Sequence, residues 1–138
     1  MTLDSNRGKI RNRECAAQLK DFSGLRFGKI TPTDIDGFVD FQNRAFVLFE
    51  IKYGSTPMPY GQRLGYERLA DACEKSGIRT LVIVAHHNVS APNDIDVAVL
   101  PVTQVRFQGK WKKPNIPHTV RSAFEAFLKW IETQENNS

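Results

Sequence analysis

Residues 45–52 read AFVLFEIK, and this stretch decides the fold. Alternate positions of a strand point to opposite faces, and here both faces are apolar as far as Phe49, which is typical of a strand inside a sheet. Glu50 and Lys52 then continue one of these faces, so two opposite charges stand together at the end of an otherwise buried strand. Burying charges costs free energy unless they are paired or hold a metal ion. A purely structural ion pair is the alternative for a lone Glu-X-Lys.

The preceding segment, residues 35–41 (IDGFVDF), also has a period of two and predicts a hairpin with the strand over 45–52. A three-residue loop over 42–44 pairs Phe41 with Ala45, and counting back places Asp36 opposite Glu50. Two carboxylates on neighbouring strands repel one another unless a cation lies between them. Oxygen ligands of this kind select Mg²⁺ or Mn²⁺.

The rest of the chain predicts an α/β fold with a mixed central sheet of about four to five strands flanked by helices. The run over 81–85 (LVIVA) is apolar on both faces, so we expect an interior strand beside the one over 45–52, with helices on both sides of the sheet. The other predicted elements are a helix over 6–22 with Glu14 on its inner face, a helix over 62–75 closed by Gly77, a strand over 96–107 interrupted at Pro101, and a helix over 120–131.

Composition sets limits on the class of protein. The 138 residues are 41% hydrophobic, which is enough for one core, and we expect a single domain over residues 1–138. No apolar run approaches the length of a membrane span, and Cys15 and Cys73 are too few for a disulfide framework, so we expect a cytoplasmic protein with no membrane partner. The net charge of +4 suits a polyanionic partner, as do two basic clusters, over 7–13 and over 110–113.

Residues 33–37 (TDIDG) followed by residues 49–52 (FEIK) resemble the signature of the PD-(D/E)XK nucleases, and the order of elements resembles their restriction-endonuclease-like core. The resemblance implies that Asp36 and Glu50 bind the metal together with the main-chain carbonyl of Ile51. It further implies that Lys52 orients or deprotonates the attacking water, and that Glu14 on the first helix adds to the catalytic site.

One departure from the signature concerns the first aspartate. Pro32 does not directly precede an aspartate, which leaves Asp34 and Asp36 as alternatives for the first metal ligand. Asp36 is preferred because it fits the register of the hairpin.

The helix after the Glu-X-Lys strand carries a second resemblance. Gln62 and Tyr66 are similar to the QxxxY motif of the RecB-like branch, and residues four apart share a helix face. This implies that both bind substrate and that Gln62 also belongs to the catalytic site. A surface glutamine and a half-buried tyrosine are the alternative.

Other polar and aromatic residues give weaker signals. Lys112, beside Trp111 in the second basic cluster, is a candidate for substrate binding, although Trp111 itself more often packs than stacks on a base. Asp94-Ile95-Asp96 is interpreted as the start of a strand. The histidines at 86, 87 and 118 lack zinc-ligand spacing, and we expect them in loops or on the surface, with only one of the adjacent pair able to face a site.

These features predict a metal-dependent nuclease that hydrolyses phosphodiester bonds, with DNA as the expected substrate and Mg²⁺ or Mn²⁺ as cofactor. A homodimer or larger complex is a further possibility, because so small a domain has little surface for reading a target. The alternatives are a non-catalytic nucleic-acid-binding or interaction protein that retains the fold, and an unrelated α/β domain whose Glu-X-Lys is structural.

Overall fold

The computed structural model describes residues 14, 17–18 and 21–136 of the chain. The chain divides into two compact units, residues 1–33 and residues 34–138. Most of the predicted first helix, over 6–22, lies outside the described residues. Glu14 is helical and exposed, whereas Asp21 and Phe22 follow an irregular path. The predicted helix therefore does not reach Phe22, which is exposed.

The first unit contains a short hairpin between Phe27 and Ile30. The N–H of each donates to the carbonyl of the other at 3.0 Å, and the two residues form an isolated antiparallel bridge. Gly28 occupies the turn with φ +63°, a left-handed conformation that a residue with a Cβ adopts at a cost. Gly28 in first position fits the turn that joins two strands through two residues.

The second unit is a five-stranded mixed sheet with two helices, and this confirms the predicted α/β class. In the described part of the chain the strands are β1 (Gly37–Phe41), β2 (Ala45–Tyr53), β3 (Arg79–His87), β4 (Val102–Phe107) and β5 (Lys110–Lys112), and they lie in this order across the sheet. The helices are α1 (Tyr60–Lys75) and α2 (Val120–Asn136). Only the β2–β3 pair is parallel, because α1 crosses between these strands.

The β1–β2 hairpin has the predicted register, with Phe41 opposite Ala45 across a three-residue loop. Gln42 and Asn43 have φ of 55° and 57°, and the N–H of Arg44 donates to the carbonyl of Phe41 at 2.9 Å, which closes the turn. The ladder begins at the pair Gly37 and Phe49. Asp36 therefore lies just outside it, at a bend in the chain.

The strand predicted over 81–85 is confirmed as an interior strand, β3, between β2 and β4. One face of the sheet packs on α1 through Leu48, Val82 and Ala70. The other face packs on α2 through residues such as Ile83 and Phe127. Helices thus cover both faces, as expected from strands that are apolar on both sides.

The region before β4 differs from the prediction. Residues expected to begin a strand at Asp96 instead form a short 3₁₀ helix, Val97–Val99, and the strand starts only at Val102. The side chain of Asp96 accepts a hydrogen bond from the N–H of Ala98 at 3.1 Å, so it caps this turn. Strand β5, which the sequence analysis did not predict, follows a tight turn at Gln108 and Gly109.

In the part of the chain that the structure covers, no helix combines the length and the apolar character needed to cross a membrane.

Helix α1 carries Gln62 and Tyr66, and its end provides a test of the fold. Gly77 has φ +87°, and its N–H and that of Ile78 donate to the carbonyls of Glu74 and Cys73. Gly77→Ala should lower the free energy of unfolding by about 1 kcal/mol, because a Cβ is strained at this φ. Chemical denaturation measures the change.

The matched control is Gly65→Ala in the same helix, where an added Cβ meets nothing within 4 Å. Alanine is the better helix former, so this variant should gain about 0.5–1 kcal/mol. Equal effects of the two substitutions would contradict the assigned end of α1.

Candidate active site

Glu50 is the buried charge around which the candidate site is built. It lies on the α1 face of β2, continuing the row of Leu48, and is only 3% exposed. Its Oε2 accepts a hydrogen bond from the hydroxyl of Tyr66 at 2.6 Å, and its Oε1 lies 3.1 Å from Nζ of Lys52. Since each carboxylate oxygen has two lone pairs, both oxygens keep capacity for a further ligand.

Tyr66 orients Glu50 from α1. Its side chain is 2% exposed, and its hydroxyl also lies 3.2 Å from the carbonyl oxygen of Phe49. Burial, together with the hydrogen bond to Glu50, raises the pKa of the Tyr66 hydroxyl well above its ordinary value of 10.0, so it remains a donor. In the structure the Tyr66 hydroxyl is buried against Glu50 and positions that carboxylate.

Lys52 and Gln62 meet at the mouth of the same site. Nζ of Lys52 donates to Oε1 of Gln62 at 2.8 Å, in addition to its ion pair with Glu50. Gln62 and Tyr66, one turn apart on α1, therefore contact Lys52 and Glu50 respectively, two residues apart on β2. The spacing of four on the helix matches the spacing of two on the strand, as the shared helix face predicted.

Asp36 reaches β2 from outside the β1 ladder. Its Oδ2 accepts a hydrogen bond from the N–H of Ile51 at 2.7 Å. Main-chain N–H groups of a strand lie in the plane of the sheet and point toward the neighbouring strand. The Asp36 carboxylate therefore lies beside β2 near the sheet edge. It does not stand on the face of Glu50, as the register suggested. The bend at Asp36 causes the difference. Asp36 also borders a cavity of about 400 Å³ whose walls include Phe49 and Phe124.

The surroundings of Asp36 raise the pKa of its carboxyl group. Burial raises the pKa of Asp36, the hydrogen bond from Ile51 opposes this, and Glu50 and Asp34 raise it further, while Lys52 lowers it. Repulsion between carboxylates is the condition that a bound cation relieves. Within the residues covered by the structure, no group of three or more His, Cys, Asp or Glu side chains is arranged to hold a metal ion.

A second set of polar contacts holds helix α1 against β4 and β5, at the end of the sheet away from β1. The guanidinium of Arg63 lies 4.9 Å from the centre of the Trp111 ring, and the indole N–H donates to Glu67 at 3.1 Å. Nearby, Arg106 on β4 pairs with Asp71 at 3.0 Å. Trp111 is therefore a packing residue, and these contacts hold the helix that presents Gln62 and Tyr66.

Three other residues were predicted at the site. Lys112 is exposed on the edge strand β5, which β3 and β4 separate from β2, so the structure does not bring it to this site. Asp34 is exposed and acts on Asp36 through its charge. Glu14 belongs to the first unit, where it is helical and exposed.

His86 is the one of the two adjacent histidines that lies beside Lys52. Both adjacent histidines lie within β3 and not in a loop, and His86 pairs with Lys52 in the parallel register. Its ring nitrogens lie 2.8 Å from Oγ1 of Thr103 and 2.8 Å from the carbonyl oxygen of Thr56, which belongs to the loop between β2 and α1. Extending the two-residue period of β3 from Val84 would have placed His86 on this face.

Comparison of the chain with protein-family models, with curated proteins and with solved structures finds no match.

The orienting role of Tyr66 can be tested through stability. Tyr66→Phe removes a donor from a buried carboxylate, so the free energy of unfolding should fall by about 1–3 kcal/mol. Tyr60→Phe is the control, because Tyr60 begins the same helix and is exposed. Its change should stay within about 0.5 kcal/mol by chemical denaturation. An unchanged stability of Tyr66→Phe would show that the hydrogen bond to Glu50 contributes nothing.

The raised pKa of Asp36 predicts that the stability of the fold depends on pH. Because the folded-state pKa is raised above 3.8, metal-free protein should lose stability as the pH rises from about 3.8 through that raised pKa. Asp36→Asn keeps an acceptor for the Ile51 N–H without the charge and should lack this loss. Asp36→Ala removes the acceptor too. Thermal unfolding of all three proteins from about pH 4 to about pH 7 measures the change in stability. Parallel curves of stability against pH for wild type and Asp36→Asn would refute the assignment.

Proposed function

We propose that this protein is a metal-dependent nuclease that hydrolyses phosphodiester bonds, with DNA as its substrate and Mg²⁺ or Mn²⁺ as its cofactor. The observation that carries the proposal is the mutual contact of Glu50, Lys52 and Gln62 at one end of an interior strand, where Asp36 accepts a hydrogen bond from the N–H of Ile51. This grouping supports the resemblance to the PD-(D/E)XK nucleases noted from the sequence. Its unbalanced carboxylates suit a divalent cation.

Asp36 and Glu50 are the side chains that would hold the ion, with the main-chain carbonyl of Ile51 as the third ligand that the resemblance implies. A divalent cation bound there would supply charge to stabilise the phosphate and a water of lowered pKa. Tyr66 holds the Glu50 carboxylate in one orientation. The free lone pairs of this carboxylate therefore have a fixed direction before a ligand binds. Preorganisation of this kind is a main source of electrostatic stabilisation in enzymes.

Lys52 is the residue proposed to act on the water and the phosphate. An ammonium has three N–H donors, and two of them serve the contacts with Glu50 and Gln62. The third can donate to the attacking water or to a phosphate oxygen. Gln62 fixes the direction of the ammonium, so its amide is proposed to act through Lys52 as well as on the substrate backbone.

A second function is supported by the two partners, Tyr66 and Lys52, that the fold itself supplies to Glu50. Such a network can serve stability alone. The protein would then be a non-catalytic nucleic-acid-binding or interaction protein that keeps this fold. Cleavage assays separate the two functions.

The test is incubation with linear, circular and branched DNA in Mg²⁺, Mn²⁺ or EDTA. We expect cleavage that needs the metal. Glu50→Gln, Asp36→Asn and Lys52→Ala should each lower the rate by at least roughly a hundredfold, because each removes a main electrostatic element of the site. Gln62→Ala should slow cleavage while calorimetry shows unchanged metal affinity.

Asp40→Asn is the matched control for the carboxylates. Asp40 lies on β1, and its side chain accepts from the N–H of Asn43 at 2.8 Å, a bond that asparagine can also make. This variant should cleave like wild type. Full activity in Glu50→Gln, or cleavage that persists in EDTA, would refute the proposed nuclease.

A further inference from the structure

The hairpin of the first unit exposes large apolar side chains. Phe27 is 85% exposed, Ile30 is 70% exposed and Leu25 is 68% exposed. Phe27 and Ile30 are bridge partners, so their side chains lie on the same face of the hairpin. Single exposed apolar residues are common, but three within six positions form a patch of the kind that marks a binding surface.

The charge of this segment is one-sided. Arg26 and Lys29 lie next to Phe27 and at the turn, and no aspartate or glutamate occurs between Asp21 and Asp34. The surface therefore combines exposed apolar groups with two uncompensated positive charges. Its complement is a partner that is negatively charged and also offers apolar faces.

We propose that this hairpin, residues 25–30, binds the unpaired bases of a nucleic-acid strand, with Phe27 stacking on a base and Arg26 and Lys29 contacting the flanking phosphates. The two hydrogen bonds between Phe27 and Ile30 fix the hairpin, so the ring is presented in a preformed turn. A base offers a face for stacking only where it is not enclosed in a duplex. The substrate class is accordingly nucleic acid with single-stranded or branched regions.

The choice of nucleic acid as partner rests on the proposed function. An anionic membrane surface also attracts basic and apolar side chains. The two partners differ in what they need at position 27, since stacking requires a flat ring whereas insertion among lipids requires only apolar surface. Leucine at this position separates them.

The experiment measures fluorescence anisotropy of a labelled DNA strand of mixed sequence, alone and annealed into a blunt duplex, in EDTA so that nothing is cleaved. Wild type should bind the single strand more tightly. Phe27→Ala and Phe27→Leu should each weaken that binding by about tenfold, as expected for the loss of one stacked base, while Phe27→Tyr should retain it. Ile116→Ala is the control, because Ile116 is a loop residue that is 67% exposed.

A second variant tests the charges. Replacing Arg26 and Lys29 together by glutamine should reduce the slope of log K against log salt by about 1.4, which corresponds to two phosphate contacts on a single strand. An unchanged slope, or equal affinity of Phe27→Ala and wild type, would overturn the proposal. Full affinity of Phe27→Leu would overturn it too, as would Phe27-dependent binding to vesicles of phosphatidylserine and phosphatidylcholine without binding to DNA.

This binding assay does not depend on cleavage. If the single strand binds through Phe27 but is never cut, only the nuclease proposal fails. If DNA is cut with metal while Phe27→Ala binds and cuts like wild type, only the hairpin proposal fails.

Discussion

The structure of the site depends on one constraint, the burial of the Glu50 carboxylate. A carboxylate that is 3% exposed costs several kcal/mol unless hydrogen bonds and a counter-charge satisfy it. Tyr66 supplies the hydrogen bond and Lys52 the charge. The first comes from α1 and the second from β2, so the crossover helix must dock in one position along the strand. That position also brings Gln62 to Lys52, and the polar arrangement therefore follows from the packing of α1.

Glu50 and Asp36 differ in how fully the fold compensates their charges. Glu50 has its partners within the fold, so the sheet and α1 can assemble without an ion. Asp36 accepts a hydrogen bond from the N–H of Ile51, but burial and then repulsion by Glu50 and Asp34 raise its pKa. Under the proposed function, a cation would relieve the charge on Asp36, whereas the geometry of the site is set by Glu50. Folding and the proposed metal binding would then be separable properties, unlike in domains that fold only around their metal.

The sequence predicted what depends on periodicity and failed where a local contact overrides it. The period of two and the three-residue loop predicted the hairpin register, and a run that is apolar on both faces predicted the interior strand β3. Periodicity could not reveal that the chain bends at Asp36, or that Asp96 caps a 3₁₀ turn in place of starting a strand. The burial of Tyr66 was hidden for another reason: the four-residue spacing gives a shared helix face but not its depth.

The charge around the candidate site is opposite in sign to the net charge of the protein. Around Asp36 the carboxylates of Asp34 and Glu50 outnumber the ammonium of Lys52, so the local charge is negative and by itself repels an anion. The protein nevertheless carries a net charge of +4. Its surplus positive charge must therefore lie outside the candidate site, and exposed basic residues such as Lys112 contribute to it. Long-range attraction scales with this surplus and is screened by salt, whereas a short contact beside a buried carboxylate is screened much less. Affinity for a polyanion should accordingly respond to salt more strongly than the proposed reaction step would.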